Sequence, residues 1–332
     1  MENILKKWNL FDDDLQFSYW HSGKSHKKED FNEEYDGSIL ENLKKYTQNE
    51  YIMGWHQVHS TQVALIRAET QVPGKKKPNF TKEIFEGYWD ETNPEKNPEI
   101  LEEVETTPRQ EFRKLSFAHK ADTFTIVSHG VQNLELEQLH TEFGRTYLPD
   151  AGDGILSTVP GICPSVVVAD CFPLYLSGCS PGNQNAIQNH SFCGTLHSGW
   201  AGTGILAVAL TALEIRLAIA PEHIRFTIGP GICPDCYRVN EDRAQLVRKR
   251  FGDNWVSPVQ GQGSYAHQPQ YALDLWGINQ HIGKVLGVGG GLNRPACTKE
   301  NTDALWSYRA YTEGHQKTNG RMNAVCTWKE TE

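Results

Sequence analysis

The stretch that most restricts the fold runs from Cys163 to Gly204, where two apolar runs end abruptly in glycine, proline and reactive side chains. The first, VVVADCFPLYLS (166–177), opens with three valines that read as a buried strand, and Pro173 marks the point where ladder hydrogen bonding is expected to stop. The second, CGTLHSGWAGTG (193–204), holds a short strand, Thr195-Leu196, that ends in His197 and passes through a glycine-spaced turn into a long apolar helix. Such a layout asks for a sheet whose strand ends present a thiol and an imidazole beside the amides of a helix start. A rigid sheet can place chemistry on loops of this kind while solvent still reaches it.

The rest of the chain mixes strand and helix patterns without a βαβ rhythm. Residues 15–20, 51–55, 63–66, 122–127, 153–157, 224–228 and 323–328 read as strands. Helices are expected at 38–46, capped by Ser38, and at 131–143, from Leu134, Leu136 and Leu139. Three more are expected: 204–219 with a broad apolar face, 240–251 with Asn240 as cap, and 274–286 stopped by Gly287. This mixture predicts an α+β fold, a mixed-sheet sandwich, rather than a doubly wound one. From Thr70 to about Leu115 the character changes, with Lys75-Lys76-Lys77-Pro78, further prolines and the acidic cluster Glu99 to Glu105. That segment reads as a solvent-facing insertion, bounded at 70–150, within a single catalytic domain spanning 1–332.

A length of 332 residues allows a substantial core. The formal charge of −9, with an isoelectric point near 5.8, argues against nucleic acid or a membrane surface as partner. MENILKKWNLFDDD lacks the apolar centre of an export leader, and no apolar run approaches the ~20 residues of a membrane span. The eight cysteines are scattered apart from Cys233 and Cys236, so free or metal-binding thiols are expected in a cytoplasmic protein.

Cys171 and His197 are the leading candidates for chemistry, against the plain alternatives of a small core residue and a polar surface group. His59, in HQVHS (56–60), offers a third donor. One thiolate and two imidazoles suit Zn²⁺ and leave a fourth position for water or substrate. Asp170 can orient a ligand or cap a turn. Gly202-Thr203-Gly204-Ile205-Leu206-Ala207 matches the dinucleotide pattern G-x-G-x-x-A, but the next strand ends in glycine and proline instead of a ribose-holding acid. Cys233-Pro234-Asp235-Cys236 shows no second ligand pair and reads as a turn after a strand. Arg309 and Arg321 are candidates for substrate anions, or ordinary surface ion pairs.

HQVHS (56–60), DGILSTVPG (153–161), ADCFPLYL (169–176), HSGWAGTG (197–204), IGPGICPDCYRV (228–239) and WSYR with GR (306–309, 320–321) together resemble the family labelled multicopper polyphenol oxidoreductase laccase. Its members are described as purine nucleoside phosphorylases with adenosine deaminase and methylthioadenosine phosphorylase activity. The resemblance implies a sandwich fold shared with a deamidating toxin domain, and a zinc ion held by His59, Cys171 and His197, with copper as the alternative ion. The many histidines of a multicopper site are absent. Three departures stand out. The family's arginine in HAGWRG is Ala201, an early asparagine–arginine pair is replaced in Asn42-Leu43-Lys44, and the gap from His59 to Cys171 is long. Lys44, Lys45 or Arg309 are candidates to replace the lost guanidinium.

The resulting expectation is a zinc-dependent purine nucleoside phosphorylase with adenosine deaminase activity, taking a purine nucleoside and phosphate, and forming a homodimer as the family does. His59, Cys171 and His197 are the catalytic and metal residues. Gln57, Asp170, Trp200, Tyr308 and Arg309 are the substrate-binding ones, with Trp200 or Tyr308 stacking on the purine. The alternatives are a metal-free thiol hydrolase or deamidase, with Cys171 as nucleophile and His197 as base, and an interaction protein whose site has decayed.

Overall fold

The computed structural model describes residues 5–7, 17–22, 51–68, 80–90, 110–119, 122–142, 145–178, 191–259, 270–290 and 294–328. The helix expected at 38–46, with Lys44 and Lys45, lies outside them, as do residues 70–79 and 91–109.

Two mixed sheets form the frame. One runs in the order Gly289–Gly290, Ile224–Ile228, Phe172–Gly178, Phe192–Ser198, Gly154–Ser157, Val63–Ala68, Phe80–Trp89, Phe124–Leu134 and Gln110–Leu115. The other runs Leu5–Lys7, Phe17–Ser22, Met322–Trp328, Ile162–Val168, Tyr51–His56, Arg145–Ala151 and Thr141–Glu142. Alternation along the central strands explains the layers. Phe172, Leu174 and Leu176, with Phe192 and Leu196, pack toward the helices, whereas Tyr175 and Cys193 pack against Val166, Val168 and Ala324 of the other sheet. The hydroxyl of Thr195 donates across that gap to the carbonyl of Pro164 at 3.0 Å. The molecule is thus an α+β sandwich with helices on the outer face of the larger sheet.

The helix Ile205–Leu217 has no exposed stripe over its first nine residues, all of which are buried. It lies between the sheet and the helix Leu275–Val285, within one cluster that includes Leu65, Phe85, Phe124, Ile278 and Ile282. The helix Glu241–Phe251 begins as its sequence demands: the side chain of Asn240 accepts a hydrogen bond from the amide of Arg243. Asp274 caps the next helix by accepting from Gly277 at 2.8 Å. No helix among the described residues is long and apolar enough to cross a membrane.

Three expectations need correction. Pro173 does not end a ladder; it lies second in a strand paired on both sides, placed where it needs no amide of its own. Residues 80–90 are not solvent-facing: Phe80–Trp89 is a sheet strand that buries Phe85 and Trp89 completely or nearly so. The leucines at 134, 136 and 139 do not make a helix; Leu134 closes the strand Phe124–Leu134, and Leu136 sits in a single 3₁₀ turn, Leu136–Gln138.

Candidate functional site

The register of the central strands brings the candidate residues together. Gly154 pairs with Leu196, and Phe172 pairs with Ser198, so Asp153, His197, Cys171 and Gly199 meet at one end of the sheet. The amide of His197 donates to the carbonyl of Asp153 at 2.7 Å, and the imidazole Nδ1 lies 2.8 Å from Asp153 Oδ1. With Nδ1 engaged, Nε2 is left to face Cys171. His59 arrives from the loop after the strand Tyr51–His56 in a left-handed conformation, φ 59°. Asp153 Oδ2 holds that loop by accepting from the amides of Val58 (3.2 Å) and Ser60 (2.6 Å) and from the Ser60 hydroxyl (2.9 Å). One donor atom each from His59, Cys171 and His197 lies within 4.8 Å of the others. His197 is buried, Cys171 half-buried and His59 exposed, so the cluster opens to solvent on the His59 side.

The electrostatics bind the group tightly. Burial works to raise the Cys171 thiol, but the charge and hydrogen bond of His197, with help from His59, bring it down to about 6. Burial works to lower His197, but the Cys171 charge and the Asp153 hydrogen bond lift it to about 10. Burial likewise opposes ionisation of Asp153, yet His197 and Ser60 hold its carboxyl below the usual range. The His197 imidazolium therefore stabilises both the Cys171 thiolate and the Asp153 carboxylate, and each of them stabilises it in return.

The glycines of HSGWAGTG serve close approach. A Cβ at Gly199 would lie 2.7 Å from Cys171 Sγ, and one at Gly202 would lie 2.7 Å from the Ser60 carbonyl. Gly204, at φ 113°, turns the chain into the helix where a side chain would strike Phe124. Packing accounts for the G-x-G-x-x-A spacing.

The other expected residues divide. The Gln57 amide spans the backbone of Val167, donating to its carbonyl at 2.9 Å and accepting from its amide at 2.6 Å. Asp170, at φ 86°, accepts from the Thr298 hydroxyl (2.6 Å) and the Arg309 amide (2.7 Å). Gln57 thus holds the backbone of Val167, and Asp170 ties residues 298 and 309 to the turn before Cys171. Trp200 is half-buried with the Arg243 guanidinium 4.6 Å over its ring. Tyr308 is 51% exposed, with Arg321 5.8 Å from its ring centre. Arg309 lies 5.5 Å over Tyr237 and donates to the Arg238 carbonyl at 3.0 Å.

Sequence reasoning missed Asp153, Tyr237 and Arg243. Asp153 reads only as the first residue of the strand 153–157, and nothing in that pattern marks its carboxylate as a partner for His197. The Tyr237 hydroxyl accepts from Arg243 at 3.3 Å, and the nearby Cys171 charge adds to burial in raising its pKa. No local signal links a helix arginine at 243 to a strand end at 171.

A purine nucleoside phosphorylase of Deinococcus radiodurans is 31% identical to this chain over 159 residues, covering 48% of the chain and 55% of that protein. Purine nucleoside phosphorylase YfiH of Escherichia coli is 27% identical over 195 residues, covering 56% and 70%. A protein named adenosine deaminase RL5, from an unknown prokaryote, is 29% identical over 141 residues, covering 41% and 47%. The chain therefore spans about half the length of several relatives it matches. Among solved structures, a Neisseria meningitidis protein superposes with a TM-score of 0.56 at 16% identity, covering 99% of this chain and 100% of that one. YlmD from Geobacillus stearothermophilus gives 0.54 at 18% identity, covering 95% and 93%. These likenesses are of fold. The sequence family described as multi-copper polyphenol oxidoreductase laccase matches residues 86–329, a range that holds Asp153, Cys171 and His197, and the chain belongs to that family.

Proposed function

We propose that this chain is a zinc-dependent enzyme acting on purine nucleosides, by phosphorolysis of inosine, adenosine, guanosine or methylthioadenosine and by deamination of adenosine. The observation that carries the reading is the convergence of His59, Cys171 and His197, with one imidazole fixed by Asp153. The donor set fits the ion: two imidazoles and a thiol held low, with a carboxylate behind one histidine, are what Zn²⁺ takes at a site with an open position. Zinc bound there supplies Lewis acidity toward an oxygen nucleophile or a leaving base.

The chain's own groups do the rest. Asp153 fixes the tautomer of His197 and holds the loop that delivers His59. Trp200 and Tyr308 offer aromatic faces for a purine. Arg243 and Arg309 flank Tyr237 and supply the positive charge that a phosphate needs, from positions other than 201. The names of the relatives, as purine nucleoside phosphorylases and an adenosine deaminase, support the substrate class.

Purified protein incubated with inosine and phosphate should yield ribose 1-phosphate and hypoxanthine, and with adenosine should release ammonia. Turnover no higher than that of a Cys171→Ala variant would overturn the assignment. One observation favours a second reading. A thiol held near 6 beside an imidazole lifted to about 10 is also the resting pair of a thiol hydrolase or deamidase. Activity that survives chelation and disappears on alkylation of Cys171 selects that reading; activity lost to chelation and restored by zinc selects the first.

A further inference from the structure

Cys233-Pro234-Asp235-Cys236 lacks a partner pair in sequence, but the fold provides one. The loop after the strand Ile224–Ile228 runs alongside residues 296–298: the Gly231 amide donates to the Ala296 carbonyl at 3.3 Å, and the Thr298 amide to the Gly231 carbonyl at 3.1 Å. Two tight turns then face each other. In one, the amides of Cys236 and Tyr237 both donate to the Cys233 carbonyl, at 3.0 and 2.9 Å. In the other, the amide and the side chain of Asn301 both donate to the Cys297 carbonyl, at 3.1 and 2.8 Å. The first turn presents Cys233 and Cys236, the second Cys297 and Glu300, and the four donor atoms lie within 4.8 Å of one another.

We propose that Cys233, Cys236, Cys297 and Glu300 form a second, structural zinc site. Three observations carry it. First, two sulfur–oxygen distances match the edges of a coordination tetrahedron. Bonds of about 2.3 Å to sulfur and about 2.1 Å to oxygen give a sulfur–oxygen edge of about 3.6 Å. Glu300 Oε1 lies 3.5 Å from Cys233 Sγ and 3.8 Å from Cys236 Sγ. Second, the Cys233 amide points at Cys297 Sγ at 3.3 Å, an arrangement that favours a thiolate over a neutral thiol. Third, the cysteines are free, not joined as a disulfide. Three sulfurs and one carboxylate oxygen make a donor set in which soft thiolates select zinc over magnesium or calcium.

The site is closed by four protein donors, so its role is to hold structure. It joins two segments that shape the wall of the catalytic cluster. Tyr237 follows Cys236 directly, and Thr298, next to Cys297, donates to Asp170, the neighbour of Cys171.

The test uses the full chain carrying His59→Ala and Cys171→Ala, which removes two donors of the other centre. Produced with zinc and kept reduced, it is expected to hold about one zinc ion by elemental analysis, lost on adding Cys236→Ser. Cobalt substituted for zinc should give thiolate charge-transfer absorption that Cys236→Ser or Cys297→Ser weakens. Chelation should lower the Tm of the chain lacking the other centre. Glu300 lies on the exposed side, so Glu300→Gln should fold even where the cysteine variants do not, and should bind zinc about tenfold or more weakly. A doubly substituted chain that holds no zinc, zinc indifferent to Cys236→Ser, or a Cys233–Cys236 disulfide in the reduced purified protein overturns the proposal. Wild-type protein whose single zinc ion is lost with Cys236→Ser but kept with His59→Ala upholds this site and removes the metal from the other.

Discussion

Asp153 shows how one buried carboxylate can set the geometry of a site without touching a ligand. Its two oxygens divide the work, Oδ1 for the imidazole of His197 and Oδ2 for the loop that carries His59. His59 pays for its left-handed backbone with roughly 1–2 kcal/mol, and the amides on either side of it are the ones Asp153 grips. Asp153→Asn keeps the shape but removes the charge and offers an amide donor to Nδ1, which disfavours the tautomer with Nε2 free. Zinc affinity, measured by chelator competition, should fall about 10–100-fold; an unchanged affinity would show that Asp153 does not act through His197. Gly199 makes the complementary point. A methyl group there would stand 2.7 Å from Cys171 Sγ and 3.7 Å from His59 Cδ2, so Gly199→Ala should displace the sulfur and abolish zinc binding at this centre. Far-UV circular dichroism should stay that of the wild type, and retained zinc at the centre would refute the close approach.

The elements written most plainly in the sequence are those whose ends carry their own chemistry. Asn240 and Asp274 cap the helices that follow them, and the two expected helices match Glu241–Phe251 and Leu275–Val285 to within a residue or so. The convergence of His59, Cys171 and His197 was legible as a candidate because each stands at a strand end or turn within a motif. Phe80–Trp89 was illegible because two of its buried positions are charged: Lys82 is paired with Asp150, and Glu83 with Arg216, Arg67 and Ser128. Those partners lie far away in sequence, so the neutralisation that permits burial cannot be read locally. Glu83 also fastens the strand to the helix Ile205–Leu217, through two hydrogen bonds from Arg216 Nε and one from Nη2. Burial works to raise its pKa, but Arg216 and Ser128 outweigh it, and the folded value lies below the ordinary one. The stability this contributes is fully present above the unfolded pKa and is lost as pH falls through the lower, folded value. Glu83→Gln should therefore cost about 3 kcal/mol at neutral pH. It should also flatten the acid limb of a Tm–pH curve; equal acid slopes in the two proteins would remove Glu83 from that role.

Across the whole molecule, the surroundings of Tyr237 and Trp200 are assembled from segments that share no sequence neighbourhood. Tyr237 is the meeting point: Arg243, from the helix Glu241–Phe251, donates to its hydroxyl, and Arg309, from the helix Tyr308–Thr312, lies over its ring. Arg243 also covers Trp200, the residue just before Ala201, so a guanidinium stands beside the turn whose own position 201 carries none. A phosphate arriving near Cys171 would meet charge delivered from this helix instead of from the turn. Losing one charge-assisted hydrogen bond to phosphate costs about 1.5–3 kcal/mol, which is roughly a 10–100-fold rise in the KM for phosphate in Arg243→Ala. Zinc content should not change, because Arg243 is not a donor to either cluster. Adenosine deamination, which consumes no phosphate, should fall far less than phosphorolysis, and that split separates anion binding from a general loosening of Trp200 and Tyr237. Ala201 is exposed, so Ala201→Arg placed in the Arg243→Ala chain should recover part of the phosphate affinity. Equal losses in both reactions with no recovery would mean that Arg243 only packs the wall.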